Sequence, residues 1–125
     1  MMINQLSFLV RGAIFSVFRE LGPGLFESVY QAALAYELRS RGLSVEEQKV
    51  VGIPYKGTFL ELGFRADLIV EDQLIVEIKS VEAIREVHKK QLLTYLRLSC
   101  KRIGLLVNFN TLVLTDRESL IRIVN

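Results

Sequence analysis

The chain has 125 residues, 50% of them hydrophobic and 24% charged, with 16 basic against 14 acidic side chains and a formal net charge of +2. That hydrophobic content excludes a disordered chain, and 8 Gly with 2 Pro exclude a low-complexity or collagen-like one. The length fits one domain over residues 1–125, and the near-balanced total argues mildly against a strong polyanion binder.

Leu6, Leu9, Val10, Ala13, Ile14, Val17, Phe18 and Leu21 recur at spacings of three and four, which predicts an amphipathic helix over residues 5–21. No basic residue precedes Phe8-Leu9-Val10 and no small-residue cleavage site follows, so no secretory signal is expected. Gly22-Pro23-Gly24 breaks the pattern. A second helix runs from about Phe26 to a basic last turn at Arg39 and Arg41, with Gly42 as its stop. Residues 43–60 are β-like, with Tyr55-Lys56-Gly57-Thr58 as a hairpin turn, and residues 64–70 and 74–80 read as a second hairpin around Glu71-Asp72-Gln73. Helical spacing returns over residues 85–98. The apolar run 103–109 is of the kind that lies inside a sheet, and residues 112–124 add one or two edge strands. The longest charge-free stretch, Ile103–Thr115, is 13 residues, short of the roughly 18 needed to span a bilayer. Cys100 stands alone, so no internal disulfide forms, and a cytoplasmic location is expected. The order α, α, β, β, β, α, β is that of a mixed α/β domain with helices packed on a central sheet.

The second hairpin carries the chemistry. A three-residue loop pairs Val70 with Leu74, Leu68 with Val76 and Ala66 with Ile78, giving one apolar face. A two-residue loop would mix charges into both faces. The favoured register sets Asp67 opposite Glu77 and Arg65 opposite Lys79. Like charges at such a pair, with Cβ atoms roughly 4.5 to 5.5 Å apart, are unfavourable unless compensated. A hard divalent cation such as Mg²⁺ compensates them through oxygen ligands, and Lys79 projects to the same face. Neutralisation by Arg65 and Lys79 on a solvated face is the plainer alternative.

Between Arg85 and Arg102, six basic residues face one acid, a net +5 that leaves −3 on the rest of the chain. Within that helix Leu92, Leu93 and Leu96 are expected to form the buried stripe, with His88, Gln91 and Tyr95 along an adjacent face. Tyr95 also fits a core aromatic with a wet hydroxyl, and His88 has no second metal-ligating His or Cys beside it. Glu27, in the first turn of the second helix, suits the positive end of the helix dipole.

Asp67, followed after nine residues by Glu77-Ile78-Lys79, resembles the D…(D/E)xK signature of the PD-(D/E)XK nuclease superfamily. Gln91-x-x-x-Tyr95 resembles the QxxxY motif of its exonuclease-like branch, and Gly24-x-x-Glu27-x-x-Tyr30 resembles the GxxExxY family placed within it. Ala66 stands where the superfamily name has proline, a residue that serves backbone shape and ligates nothing. The resemblance covers residues 21–109. It implies a restriction-endonuclease-like core, a central mixed sheet flanked by helices. It also implies that Asp67 and Glu77 ligate Mg²⁺ with the backbone carbonyl of Ile78, Mn²⁺ substituting. Glu27 would act through a bound water or on a second metal. Lys79 would orient or help deprotonate the attacking water, and Gln91 with Tyr95 would position it or the phosphate.

The function expected is therefore Mg²⁺-dependent hydrolysis of DNA, preferred over RNA, with Arg85, His88, Lys89 and Lys90 as nucleic-acid contacts. A chain of this length leaves no separate sequence-reading domain, so action directed by structure, ends or a partner is expected. The alternative is a non-catalytic nucleic-acid-binding or protein-interaction module that retains the fold. No membrane partner is expected, and a homodimer fits an enzyme that must cut two strands.

Overall fold

Helix α1 (Ile3–Leu21) buries Leu6, Val10, Ala13, Ile14 and Val17 along one stripe and ends at Gly22, whose φ of 67° turns the chain while its N–H reaches the Phe18 carbonyl at 2.8 Å. Helix α2 (Glu27–Ser40) stops at Gly42, φ 85°, with the Leu43 N–H returning to the Leu38 carbonyl at 3.1 Å. The computed structural model describes the backbone of residues 1–125 and the side chains of all but positions 62 and 63.

Strands β1 (Val45–Tyr55) and β2 (Thr58–Val70) form a long hairpin closed by Lys56 and Gly57, both at positive φ, the turn whose twist matches paired strands. The runs expected on either side of residue 62 are thus one 13-residue strand. Strand β3 (Leu74–Lys79) follows, then α3 (Glu86–Leu98), β4 (Ile103–Asn108) and β5 (Leu120–Val124), the last supplying the expected edge. The sheet order is β1-β2-β3-β4-β5, antiparallel except for β3 against β4. A parallel pair needs a crossover, which α3 supplies. All six residues of β4 are buried, the physical reason for its unbroken apolar run.

Two cores sandwich the sheet. Leu68, Val70, Leu74, Val76 and Ile78 meet α1 and α2 on one face. Phe64, Ala66, Ile69, Ile75 and Leu106 meet Leu92 and Leu96 of α3 on the other. Leu93 is 38% exposed and lies outside the buried stripe expected for it, because α3 covers only a narrow strip of sheet. At about 1.5–3 kcal/mol per buried leucine, this second layer rests on few side chains.

The three-residue loop Glu71–Gln73 is as expected, and Val70 pairs with Leu74 and Leu68 with Val76. Beyond Leu68 the ladder ends, which corrects three pairings. Ala66 does not face Ile78 but lies in the α3 core, and neither Asp67 with Glu77 nor Arg65 with Lys79 forms a rung. The cause lies in β1. Gln48 has φ 49°, in the left-handed region, and the rungs on either side of it are Glu47 with Leu68 and Lys49 with Ala66. Val45 packs on the α1/α2 core and Val51 on the α3 core. Both strands therefore exchange faces at Gln48 and Asp67, between those two rungs.

Candidate active site

That exchange opens a gap between β2 and β3, and the two carboxylates fill it. Asp67 Oδ2 accepts the Ile78 N–H at 2.8 Å, taking the place of a ladder carbonyl, and the Asp67 N–H points to Glu77 Oε1 at 3.4 Å. Because the N–H and C=O of an extended residue point toward the same neighbouring strand, the Ile78 carbonyl faces the same gap. Asp67 Oδ1 accepts from Gln48 Nε2 at 2.9 Å. Glu77 and Lys79 alternate with Ile75 and so project to the α3 side of the sheet.

Burial, reinforced by the charge of Asp67, raises the Glu77 carboxyl from its ordinary 4.5 to about 8, while the Lys79 ammonium and the Asp67 N–H act in the opposite sense. A carboxyl that resists ionisation beside a second carboxylate is an electrostatic conflict built into the fold.

Glu27 closes one end of the site. It opens α2, and its Oε2 accepts the Ser80 N–H at 3.0 Å, while the Ser80 hydroxyl donates to the Leu25 carbonyl at 2.8 Å. Its charge is felt at Glu77. The loop that presents it is held by Tyr30, fully buried and stacked on Phe109 with ring centroids 4.3 Å apart. The Tyr30 hydroxyl donates to the Gly22 carbonyl and accepts the Leu25 N–H at 3.2 Å, so it spans the glycine break ahead of Glu27. On the other side Asn108 Oδ1 accepts from the Val81 N–H at 3.0 Å and the Asn110 N–H at 3.1 Å, shaping the turn after β3. A hollow of about 500 Å³ lies there, lined by Phe26, Glu27, Ser80 and Asn110.

From α3, Tyr95 stacks on Phe64 at 3.6 Å, and burial together with the Glu77 charge raises its phenol above the usual range. Gln91 is exposed one turn earlier and makes no side-chain hydrogen bond among the described residues. His88 caps its own helix: Nδ1 accepts the Arg85 N–H at 3.0 Å, so the ring is neutral, and burial with Lys79 and Arg85 nearby lowers its pKa. Lys89 is paired with Glu86 at 3.0 Å and shares a hollow with Asp116 and Arg122 toward β5. Lys90 is exposed on the same helix. Arg65 is exposed, and its Nη1 donates to the Gln48 carbonyl at 3.5 Å.

The donor set fits a hard divalent cation: two carboxylates and a backbone carbonyl face one gap, and burial together with the Asp67 charge disfavours the ionised form of Glu77 that a cation there would favour. Among the described residues no three His, Cys, Asp or Glu side chains gather closely enough to hold an ion, so Glu27 stands apart from the pair. Gln31 and Gln48 carry no catalytic signature in the sequence. Their only signal is position: Gln31 lies one helical turn after Glu27, and Gln48 interrupts a run of charges.

A family model described as PD-(D/E)XK nuclease superfamily matches residues 4–123. A crystal structure of SSO0001 is similar in fold, with a TM-score of 0.50 at 23% identity over 78% of this chain and 50% of the other, so this chain spans about half that length. No curated protein matches.

Proposed function

The chain belongs to the PD-(D/E)XK nuclease superfamily, and from that premise we propose that it is a Mg²⁺-dependent phosphodiesterase that hydrolyses DNA at the gap between β2 and β3. Its mixed α/β sheet flanked by helices is a restriction-endonuclease-like core, and nucleases of this superfamily generally use divalent metal ions. The observation that carries the reading is the Asp67–Glu77 pair, two carboxylates turned into one break in the ladder at the cost of a Glu77 carboxyl raised to about 8. Its finer placement in the GxxExxY family is supported by Gly24, at φ 97° in the loop, Tyr30, whose hydroxyl ties that loop at Gly22 and Leu25, and Glu27, which ties it to Ser80.

Asp67, Glu77 and the Ile78 carbonyl would hold the ion, Mn²⁺ substituting for Mg²⁺. When bound, it supplies a water of lowered pKa and a positive charge for the phosphate oxygens. Lys79 projects to the face of Glu77 and orients the attacking water, its ammonium stabilising charge on the phosphate. Tyr95 and Gln91, one turn apart on α3, would position the water or the phosphate. Glu27, bonded to the Ser80 N–H, fixes the end of β3 and reaches the site through water. Arg85 and Lys90 present positive charge from α3 for the nucleic-acid backbone. His88 stabilises the start of that helix and holds Arg85 in place. A preference for structure, ends or a partner over a specific sequence follows from a site that reads phosphate and ion alone.

The test is cleavage of linear, single-stranded and branched DNA, with matched RNA, in Mg²⁺ or Mn²⁺. The expected result is cleavage of DNA that falls about 100-fold or more in Asp67→Ala and in Lys79→Ala. Equal activity in all three proteins would identify a contaminant and remove the assigned site. Because Glu27 is engaged by the Ser80 backbone, a non-catalytic binding module is the second reading. It is favoured by DNA affinity without cleavage that Asp67→Ala leaves unchanged.

A further inference from the structure

Gln48 is a glutamine in a conformation that suits glutamine poorly. Its φ of 49° lies in the left-handed region, which Gly and Asn adopt at less cost. What glutamine supplies there is reach. Its Nε2 carries two hydrogens and both are used, one on Gln31 Oε1 at 2.6 Å and one on Asp67 Oδ1 at 2.9 Å.

The direction of every bond in this group is forced. Gln31 presents its oxygen to Gln48 because its own Nε2 donates to Glu47 Oε1 at 3.3 Å, and the other oxygen of Glu47 accepts from Arg39 at 2.9 Å. Acceptor-only carboxylates at both ends, Asp67 and Glu47, leave the two amides between them one orientation. Asp67 is thereby gripped from two sides, by the Ile78 N–H at Oδ2 and by Gln48 at Oδ1. Each oxygen keeps a free lone pair, and both grips fix where those lone pairs point. Helix α2 thus serves the site twice, through Glu27 at the end of β3 and, one turn later, through Gln31 behind Gln48.

We propose that Gln48, oriented by Gln31, is a positioning residue that sets the Asp67 carboxylate for a divalent cation, so that the strained backbone at Gln48 is retained for metal affinity and contributes nothing to stability. This rests on the reading of Asp67 as a metal ligand. Gln48 is otherwise exposed, so substituting it leaves no cavity. Partners that orient a metal ligand typically change affinity by about 10- to 100-fold when removed.

The experiment is a calorimetric titration of Mn²⁺ into the parent, Asp67→Ala, Gln48→Asn and Gln48→Gly, with melting temperatures taken in EDTA. Asn and Gly both accept the left-handed backbone, and neither reaches Asp67 and Gln31 together. The expected result is Mn²⁺ binding by the parent, its loss in Asp67→Ala, and about 10-fold weaker binding in both Gln48 variants at a melting temperature equal to or above the parent's. Turnover in those variants falls while the KM for DNA holds. Gln48 variants that bind like the parent would overturn the positioning role and leave Asp67 as a ligand. Weaker binding that comes with a lowered melting temperature would mark Gln48 as structural and overturn it too. A parent that binds no Mn²⁺ would remove the metal reading and this inference together.

Discussion

Strands β2 and β3 are two different structures within one hairpin. From Leu68 to Val70 they are a closed ladder, with Leu68, Val70, Leu74 and Val76 sealed under α1 and α2 and Ile69 and Ile75 under α3. One residue earlier the ladder stops, side-chain oxygens take the backbone N–H groups, and two carboxylates share a gap. The closed half supplies stability. The open half holds charge that the fold would be more stable without, the usual sign that a site is kept for chemistry.

Leu68→Ala acts on the closed half alone and has the largest expected effect. Leu68 is fully buried, so the change costs about 2–5 kcal/mol of unfolding free energy in urea. A loss under 1 kcal/mol would mean that the two halves are not energetically distinct.

Glu77→Gln should move stability the other way. The folded carboxyl of Glu77 is raised to about 8 from an ordinary 4.5, so its protonated form stabilises the metal-free protein fully below about pH 4.5, and that contribution is lost as pH rises through about 8. In EDTA, stability therefore falls across this window, and above it Glu77→Gln is more stable by on the order of 2 kcal/mol. A flat profile, or a destabilised variant, would place Glu77 in the closed half's category.

Tyr30→Phe keeps the stack on Phe109 and removes the hydroxyl that joins Gly22 to Leu25. It should cost about 1–2 kcal/mol and lower cleavage by loosening Glu27, measured as paired melting and activity. Unchanged activity would show that the loop is held without it. Gly104→Ala has the smallest effect. A Cβ there stands 3.0 Å from both Leu92 methyl carbons, so α3 must shift on β4 at a cost of about 1 kcal/mol, read as a lowered melting temperature.

Much of this comparison is legible in residues alone. Periodicity locates the helices and strands because each presents a continuous apolar face, and the alternation in β3 puts Glu77 and Lys79 on one side. Strict alternation also predicts a rung between Ala66 and Ile78, and there it fails. In β1 the face exchange runs through one residue at positive φ, a conformation whose usual carriers are Gly, Asn and Asp. A glutamine amid Glu46, Glu47 and Lys49 gives no sign of it. Tyr30 is legible as the last residue of the Gly24-x-x-Glu27-x-x-Tyr30 motif, while its hydroxyl bridge across the glycine loop spans residues that no helical period connects. Leu93 fits the apolar stripe but falls beyond the strip of sheet that α3 covers.

The central claim is that the break at Asp67 is a metal site. A crystal structure of the protein soaked in Mn²⁺, with the ion located by its anomalous scattering, tests it most directly. The account predicts one ion in the gap between β2 and β3, ligated by Asp67, Glu77 and the Ile78 carbonyl, with Gln48 still on Asp67 Oδ1. An ion bound elsewhere, or a gap that stays empty at saturating Mn²⁺, would contradict it.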